Sequence, residues 1–341
     1  MSTDLTTPHP LQACWDLQLA GLAADALRVA LTIGLFEHLG QYSTAARLAT
    51  TLDLEPTNTG YLLEMLWAQG LLERDEQGSH YRNSETARRF LSRGAGDYCG
   101  DALLFRHQVL GQAGQPLEQA LRNGLPPATA PTAEMARRWA EAARVQIAQE
   151  QQSVTVDVAC TLLECLPQAP RLQRMLDLGG GPGLVAIALA KRLPDLHGTV
   201  FDFAETAAVA QENIVRAGLE KRLGIIGGDL DRDDFGEGYD LIWCSSVFHF
   251  AHDLDGLLRR LHGALNPGGV LMCCHAEVPE DQQTAARVLP YYLHMRMQGR
   301  HVLPAGELAQ RLRSIGFVDV QQQDGLRYPV APVTAVVAHK A

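Results

Sequence analysis

Five acidic or imidazole side chains stand at or just past the ends of apolar runs in the second half of the chain: Asp177, Asp202, Asp229, His249 and Glu277. Short apolar runs of this kind read as buried strands, and an open α/β sheet binds its ligands at the carboxyl ends of its strands. After Asp177 comes Leu178-Gly-Gly-Gly-Pro-Gly183, a turn with little side-chain bulk. Gly179, Gly180 and Gly181 let backbone approach a ligand closely. Asp177 would repel a pyrophosphate but can accept a hydrogen bond from an ammonium group, and Asp202 is spaced to hold ribose hydroxyls. A ligand with a ribose and an amino acid but no phosphate is S-adenosylmethionine (SAM). Gly181-Pro182-Gly183-Leu184-Val185-Ala186 also fits the dinucleotide pattern, which keeps a nicotinamide or flavin oxidoreductase open. His249 has the imidazole that takes a proton near neutral pH. Glu277 ends the neighbouring strand, where a carboxylate can orient that ring.

These residues need a sheet to bring them together, and the remaining pattern supplies one. Strands are expected at 175–178, 199–202, 224–230, 239–248 and 270–275, with helices over 184–192, 204–217, 254–265 and 303–315 between or after them and closing strands near 318–321 and 335–339. The alternation predicts a doubly wound sheet. Asn266-Pro-Gly-Gly is expected to stop the 254–265 helix. The first 110 residues differ in kind. Residues 11–40 repeat apolar side chains with helical period. Residues 43–73 read as a helix-turn-helix, with Ser43 and Thr57 as expected caps, and a strand at 80–82 makes a wing. The recognition position, 58–69, holds neither Lys nor Arg, so the helix is expected to be core rather than a reader of DNA. Residues 85–122 are helical, 125–132 form a Pro-rich loop, and a long helix runs from about 132 to 165.

Composition narrows the partners. The 341 residues are 46% hydrophobic and carry a net charge of −10, which speaks against nucleic acid. No apolar run is long enough to span a bilayer. The first residues lack a basic start and an apolar core, so no leader peptide is expected. Seven cysteines without a C-x-x-C pair suggest buried thiols in the reducing cytoplasm. Cys273, Cys274, His275 and Glu277 are near one another in sequence, but alternate strand residues face opposite ways and no metal is expected. His294-Met-Arg-Met297 before Gly299 offers adaptable apolar contacts. Aromatic residues are only 6% of the chain, which points to a site with little ring stacking.

The chain resembles the class I SAM-dependent O-methyltransferases of the plant type and their bacterial relatives in secondary metabolism. The motifs that carry the resemblance run in order over nearly the whole chain: Ile33-Gly-Leu-Phe-Glu-His-Leu39, Leu63-Glu-Met-Leu-Trp-Ala-Gln-Gly-Leu-Leu72, Leu176-Asp-Leu-Gly-Gly-Gly-Pro-Gly183, Phe201-Asp-Phe-Ala204, Gly227-Gly-Asp-Leu230, Phe248-His-Phe-Ala-His-Asp253, Asn266-Pro-Gly-Gly269 and Gly299-Arg-His301. The resemblance implies a Rossmann-like methyltransferase domain over 111–341 and a winged-helix dimerisation domain over 1–110, hence a homodimer with a small-molecule acceptor. It implies that Gly179 and its neighbours hold the methionine moiety, Asp202 the ribose, Asp229 with Leu230 the adenine, with Phe203 also lining the cofactor, and that His249 is the base, paired with Glu277. Ser245 stands where the family often has a cofactor-lining lysine, and His301 where it often has Glu or His. Phe250 and Ala251 replace the usual acidic residue and Trp after the base. These departures leave C-, N- or S-methylation, or a SAM-sensing regulator, as alternatives to an O-methyltransferase.

Overall fold

The computed structural model describes residues 6–126 and 132–341. The first five residues, where no leader was expected, and most of the expected Pro-rich loop lie outside the described residues. Contacts divide the chain into Met1–Gly111 and Gln112–Ala341.

The first unit is helical with one hairpin. Helix Gln12–Thr32 leads to a 3₁₀ turn at Leu35–His38, then helices Ala45–Leu52 and Pro56–Ala68, the hairpin strands β1 (Leu72–Arg74) and β2 (Tyr81–Asn83), and helix Glu85–Phe90. Leu35, Phe36, Leu48, Leu63 and Leu66 are completely buried together. The helix at the recognition position thus gives its apolar face to the core, as its lack of basic residues predicted. Two caps differ from expectation. Thr44, not Ser43, accepts from Arg47 N, and Glu55, not Thr57, accepts from Thr57 N and Asn58 N. Pro56 explains the second: proline favours the first helical position, which makes the preceding residue the cap.

In the second unit a short helix, Leu117–Asn123, precedes one long helical stretch, Ala133–Glu164, interrupted by π turns at Ala143–Ile147 and Gln151–Thr155. Seven strands follow in one sheet: β3 (Arg174–Leu178), β4 (His197–Asp202), β5 (Leu223–Gly227), β6 (Tyr239–Ser245), β7 (Leu265–His275), β10 (Phe317–Leu326) and β11 (Val333–Lys340), with β8 (Glu277–Val278) and β9 (Leu303–Pro304) as a separate short pair. Their order is β10-β11-β7-β6-β3-β4-β5. The five from β7 to β5 are parallel, and β10 and β11 are antiparallel additions. Chain order reverses at β3, so the crevice beyond its carboxyl end is the ligand position of such a sheet. Asn266-Pro-Gly-Gly does not merely stop the preceding helix at Ala264; it lies inside β7, where Asn266 Nδ2 donates to Asp240 Oδ1 at 2.8 Å. Helices cover both faces, and each face has its own buried cluster, one around Met175, Leu189 and Trp243, the other around Leu176, Ile242 and Leu258.

Candidate active site

The glycine turn sits at the reversal point. Gly179 N donates to Phe201 O at 2.8 Å, which ties the turn across to β4. The Asp202 carboxylate, at the end of β4, accepts from Gly181 N at 2.9 Å and Phe203 N at 2.8 Å. Phe203 is therefore positioned through its backbone. Asp177 is 1% exposed and lies beneath the turn: a Cβ on Gly180 would come within 2.7 Å of its carboxyl carbon. Its Oδ2 is buried without a hydrogen-bond partner. Among the described residues neither carboxylate has a Lys or Arg partner, so their negative charge faces the turn uncompensated and disfavours a pyrophosphate there. Burial pushes Asp177 up to about 7, against a hydrogen bond from Ala186, with Asp202 adding repulsion. Burial likewise raises Asp202 to about 6, while its bonds from Gly181 and Phe203 oppose the shift. An orphaned buried carboxylate oxygen, a second carboxylate at the mouth, and a turn stripped of Cβ atoms fit a cation carrying ribose hydroxyls.

Proton coupling follows. Both groups have raised pKa values, so the free protein holds protons there that a cationic ligand displaces. SAM affinity is expected to fall as pH drops from about 7 towards 5, by at most about tenfold per unit for each proton released. Calorimetry in two buffers of different ionisation enthalpy measures this; an affinity flat across that window removes both carboxyls from the binding site.

Asp229 lies two residues past β5, which ends at Gly227, and its Oδ1 accepts from Asp231 N at 3.0 Å. Leu230 is half-buried against the core, with its carbonyl held by Arg260. Ser245 ends β6, close to the Tyr328 hydroxyl, whose pKa burial holds well above its ordinary value. Ser246 then takes φ +51, a conformation uncommon outside glycine, and its N–H donates to Cys274 O at 2.9 Å. That bend sends the chain into the 3₁₀ turn Phe248–Phe250.

His249 is 3% exposed, with its Nδ1 buried and unpartnered. Its ring lies 4.2 Å from Phe250, 5.8 Å from His275 and 6.0 Å from Tyr292, centroid to centroid. Phe250 in turn meets Trp139 edge-on at 5.1 Å. The low aromatic content therefore misleads: the rings are few but gathered here. Burial, then His275, Arg300 and His301, hold the His249 pKa well below its ordinary value, so the ring is neutral.

Glu277 is not the partner of His249. Its two carboxylate oxygens accept from Gly306 N at 2.8 Å and Leu308 N at 3.0 Å, capping helix Glu307–Ile315. The free N–H groups at a helix start attract a carboxylate, and pairing of β8 with β9 brings Glu277 to them. The same pairing delays the helix expected from Leu303 until Glu307. His275 stands beside His249 instead. Its Nε2 donates to His301 O at 3.0 Å, its Nδ1 is unpartnered, and burial lowers its pKa to about 4. His301 is half-buried and acts on His275 through its carbonyl.

Sequence reasoning missed Gln151. From the second π turn its Nε2 donates to Gly180 O, and its Oε1 accepts from Leu184 N, both at 3.1 Å. One side chain thus fastens the long helix to the glycine turn. It lies between the expected inward positions Ile147 and Val154, but Gln146, Gln149 and Gln152 share the stretch, so the sequence does not single it out. Among the described residues no cluster of metal-ligating side chains occurs.

Residues 15–93 match the family model for the O-methyltransferase dimerisation domain, and residues 176–271 match that for a methyltransferase domain. The tetracenomycin polyketide synthesis 8-O-methyl transferase TcmO of Streptomyces glaucescens is 27% identical over 311 residues, 89% of this chain and 91% of its own. The 3-hydroxy-5-methyl-1-naphthoate 3-O-methyltransferase of Streptomyces sahachiroi is 26% identical over 90% and 89%. The N,N-dimethyltransferase OxyT of Streptomyces rimosus is 29% identical over 80% of each. In fold, human N-acetylserotonin methyltransferase in complex with SAM superposes with a TM-score of 0.76 at 22% identity, covering 99% of this chain and 100% of that one. An O-methyltransferase family protein from Burkholderia thailandensis gives 0.75 at 20% identity, over 98% and 99%. The chain belongs to the SAM-dependent methyltransferases that join an O-methyltransferase dimerisation domain to a Rossmann-like methyltransferase domain.

Proposed function

We propose that this enzyme methylates a hydroxyl group of a small secondary metabolite, with His249 as the base. The observation that carries this reading is a neutral, buried imidazole on the segment that packs against the cofactor turn. Val247 occupies the space a Gly179 side chain would need, 2.5 Å from that Cβ, and His249 follows two residues later. Bound SAM supplies an electrophilic methyl on a sulfonium. Asp177 and Asp202 set the negative charge for it, and Asp229 with Leu230 borders the adenine end. The ring cluster of Trp139, Phe250 and Tyr292 excludes water, and His249 accepts the hydroxyl proton. Positioning of the two reactants contributes most of the acceleration. The test is incubation of the purified enzyme with labelled SAM and metabolite extract, followed by mass spectrometry of the labelled product. An O-methyl product is expected. N-methylation, the chemistry in the name of OxyT, or methylation of C or S would overturn the hydroxyl assignment.

The protein also works as a homodimer in this reading. Helix Gln12–Thr32 exposes Trp15, Leu17, Leu19 and Leu22, the last two at 59% and 60%. Such a row on one chain marks an association surface. Light scattering at micromolar concentration is expected to give the dimer mass, and Leu19→Glu with Leu22→Glu the monomer; a monomeric wild type rejects the assignment. Cys160, Cys244, Cys273 and Cys274 are buried thiols, which suits a reducing cytoplasm.

A further inference from the structure

The surroundings of His249 hold a cation without an anion. Arg300 follows the Gly299 turn and is half-buried, with its guanidinium carbon 5.1 Å from the Phe250 ring centroid. The same ring also meets His249 at 4.2 Å and Trp139 at 5.1 Å, so base and guanidinium share one aromatic neighbour. Arg300 Nε donates to Gln298 Oε1 at 3.3 Å. Among the described residues the terminal nitrogens have no hydrogen-bond partner and no carboxylate lies within ion-pair distance. Arg311 shows the usual arrangement: also half-buried, it is held by both Asp255 and Glu307. A guanidinium drawn partly out of water with no carboxylate beside it is open to pair with an anionic ligand.

The neighbours cannot supply it. Glu277 is turned away to cap a helix, and His275 spends its N–H on the His301 carbonyl. What surrounds the site is one guanidinium, the imidazoles of His249, His275 and His301, and aromatic rings. Two imidazole nitrogens there, the Nδ1 atoms of His249 and His275, are buried and unpartnered.

We infer that Arg300 binds a carboxylate on the acceptor, so that the substrate is a hydroxy acid whose anionic group lies near the hydroxyl to be methylated. This rests on the methyl-transfer reading of the site. A guanidinium stacked on a ring keeps its in-plane N–H groups free, and these match a carboxylate in bidentate fashion. Selectivity follows, because an acceptor without the anion leaves the guanidinium unpaired. There is a consequence for the base as well. Arg300 is one of the charges that weaken His249 as a proton acceptor, and a bound carboxylate offsets it, so the base gains strength when the right acceptor is present. The methyl step itself is unchanged. The hydroxyl proton passes to His249, the oxygen forms a bond to the methyl carbon, and the electron pair of the broken S–C bond stays on sulfur.

The test uses full-length enzyme loaded with S-adenosylhomocysteine (SAH) and two matched pairs of probes, salicylate against salicylamide and benzoate against benzamide, titrated by ligand-observed NMR at millimolar concentration. The acids are expected to bind about tenfold or more tighter than the amides, the worth of a charge-assisted hydrogen bond. Arg300→Gln is expected to erase that preference and Arg300→Lys to retain part of it. Equal binding of acids and amides to the wild type overturns the inference, whether or not a variant folds. So does a preference that survives Arg300→Gln, or the failure of both acids to bind. SAH affinity, measured first by calorimetry, separates the two claims: its absence defeats the methyl-transfer reading, whereas SAH binding without acid preference defeats only the role of Arg300.

Discussion

Replacing His249 with Ala is expected to lower turnover by about 10²–10⁴, the usual contribution of a positioned general base. SAH affinity should stay within about twofold, well under one hydrogen bond's worth. The imidazole is already neutral, for burial and the cationic surroundings depress its pKa. At saturating SAM, the acid limb of the rate against pH therefore falls below about 6.5, the ordinary imidazole value. Glu277→Ala provides the contrast. Its carboxylate holds the start of helix Glu307–Ile315, so the loss should appear as stability, about 0.5–2 kcal/mol for a cap, with turnover per folded enzyme retained. If Glu277→Ala instead reproduces the His249→Ala rate loss, the two act as a pair and the capping role is secondary. Near-normal turnover in His249→Gln would mean an acceptor that loses no proton to this ring, and His301 becomes the next group to replace.

Glu277 shows where sequence reasoning stops. Strands β3 to β7 were legible because each is an apolar run closed by glycine or a polar residue, and this local pattern is enough to place Asp177, Asp202 and His249 on one edge of the sheet. Which groups face one another beyond that edge depends on tertiary contacts. A carboxylate two residues past β7 can turn towards His249 or towards a helix start, and the β8–β9 pairing decides it. His275, at the end of β7, was read only as part of an improbable metal site, and its stacking on His249 depends on the distance between neighbouring strands. Gln151 was hidden for a different reason: two π turns shift the facing of the long helix, and a regular period does not anticipate them. Average aromatic content failed because composition carries no information on where the rings gather.

Gly179→Ala is expected to cost about 2–5 kcal/mol and to abolish SAH binding at micromolar concentration, from two separable causes. Gly179 has φ +67, where a side chain costs about 1–2 kcal/mol. Its Cβ would also lie 2.5 Å from Val247 Cγ2 and 3.0 Å from Val247 Cβ, and forced overpacking costs about 1–3 kcal/mol more. Neither side yields easily. The turn is tied to β4 through Phe201 O, and Val247 is 6% exposed in the segment that carries His249. Gly218 supplies the control, with φ +68 and nothing within 4 Å of a built Cβ. Gly218→Ala should therefore show the backbone cost alone and bind SAH normally. Adding Val247→Ala to Gly179→Ala should restore part of the binding, because it removes the 2.5 Å contact with Cγ2 but leaves the 3.0 Å contact with Cβ and the backbone strain. Denaturant unfolding and SAH calorimetry on the three variants separate the causes. If Gly179→Ala behaves like Gly218→Ala, the Val247 contact does not shape the cofactor turn, and the link from that turn to His249 is lost with it.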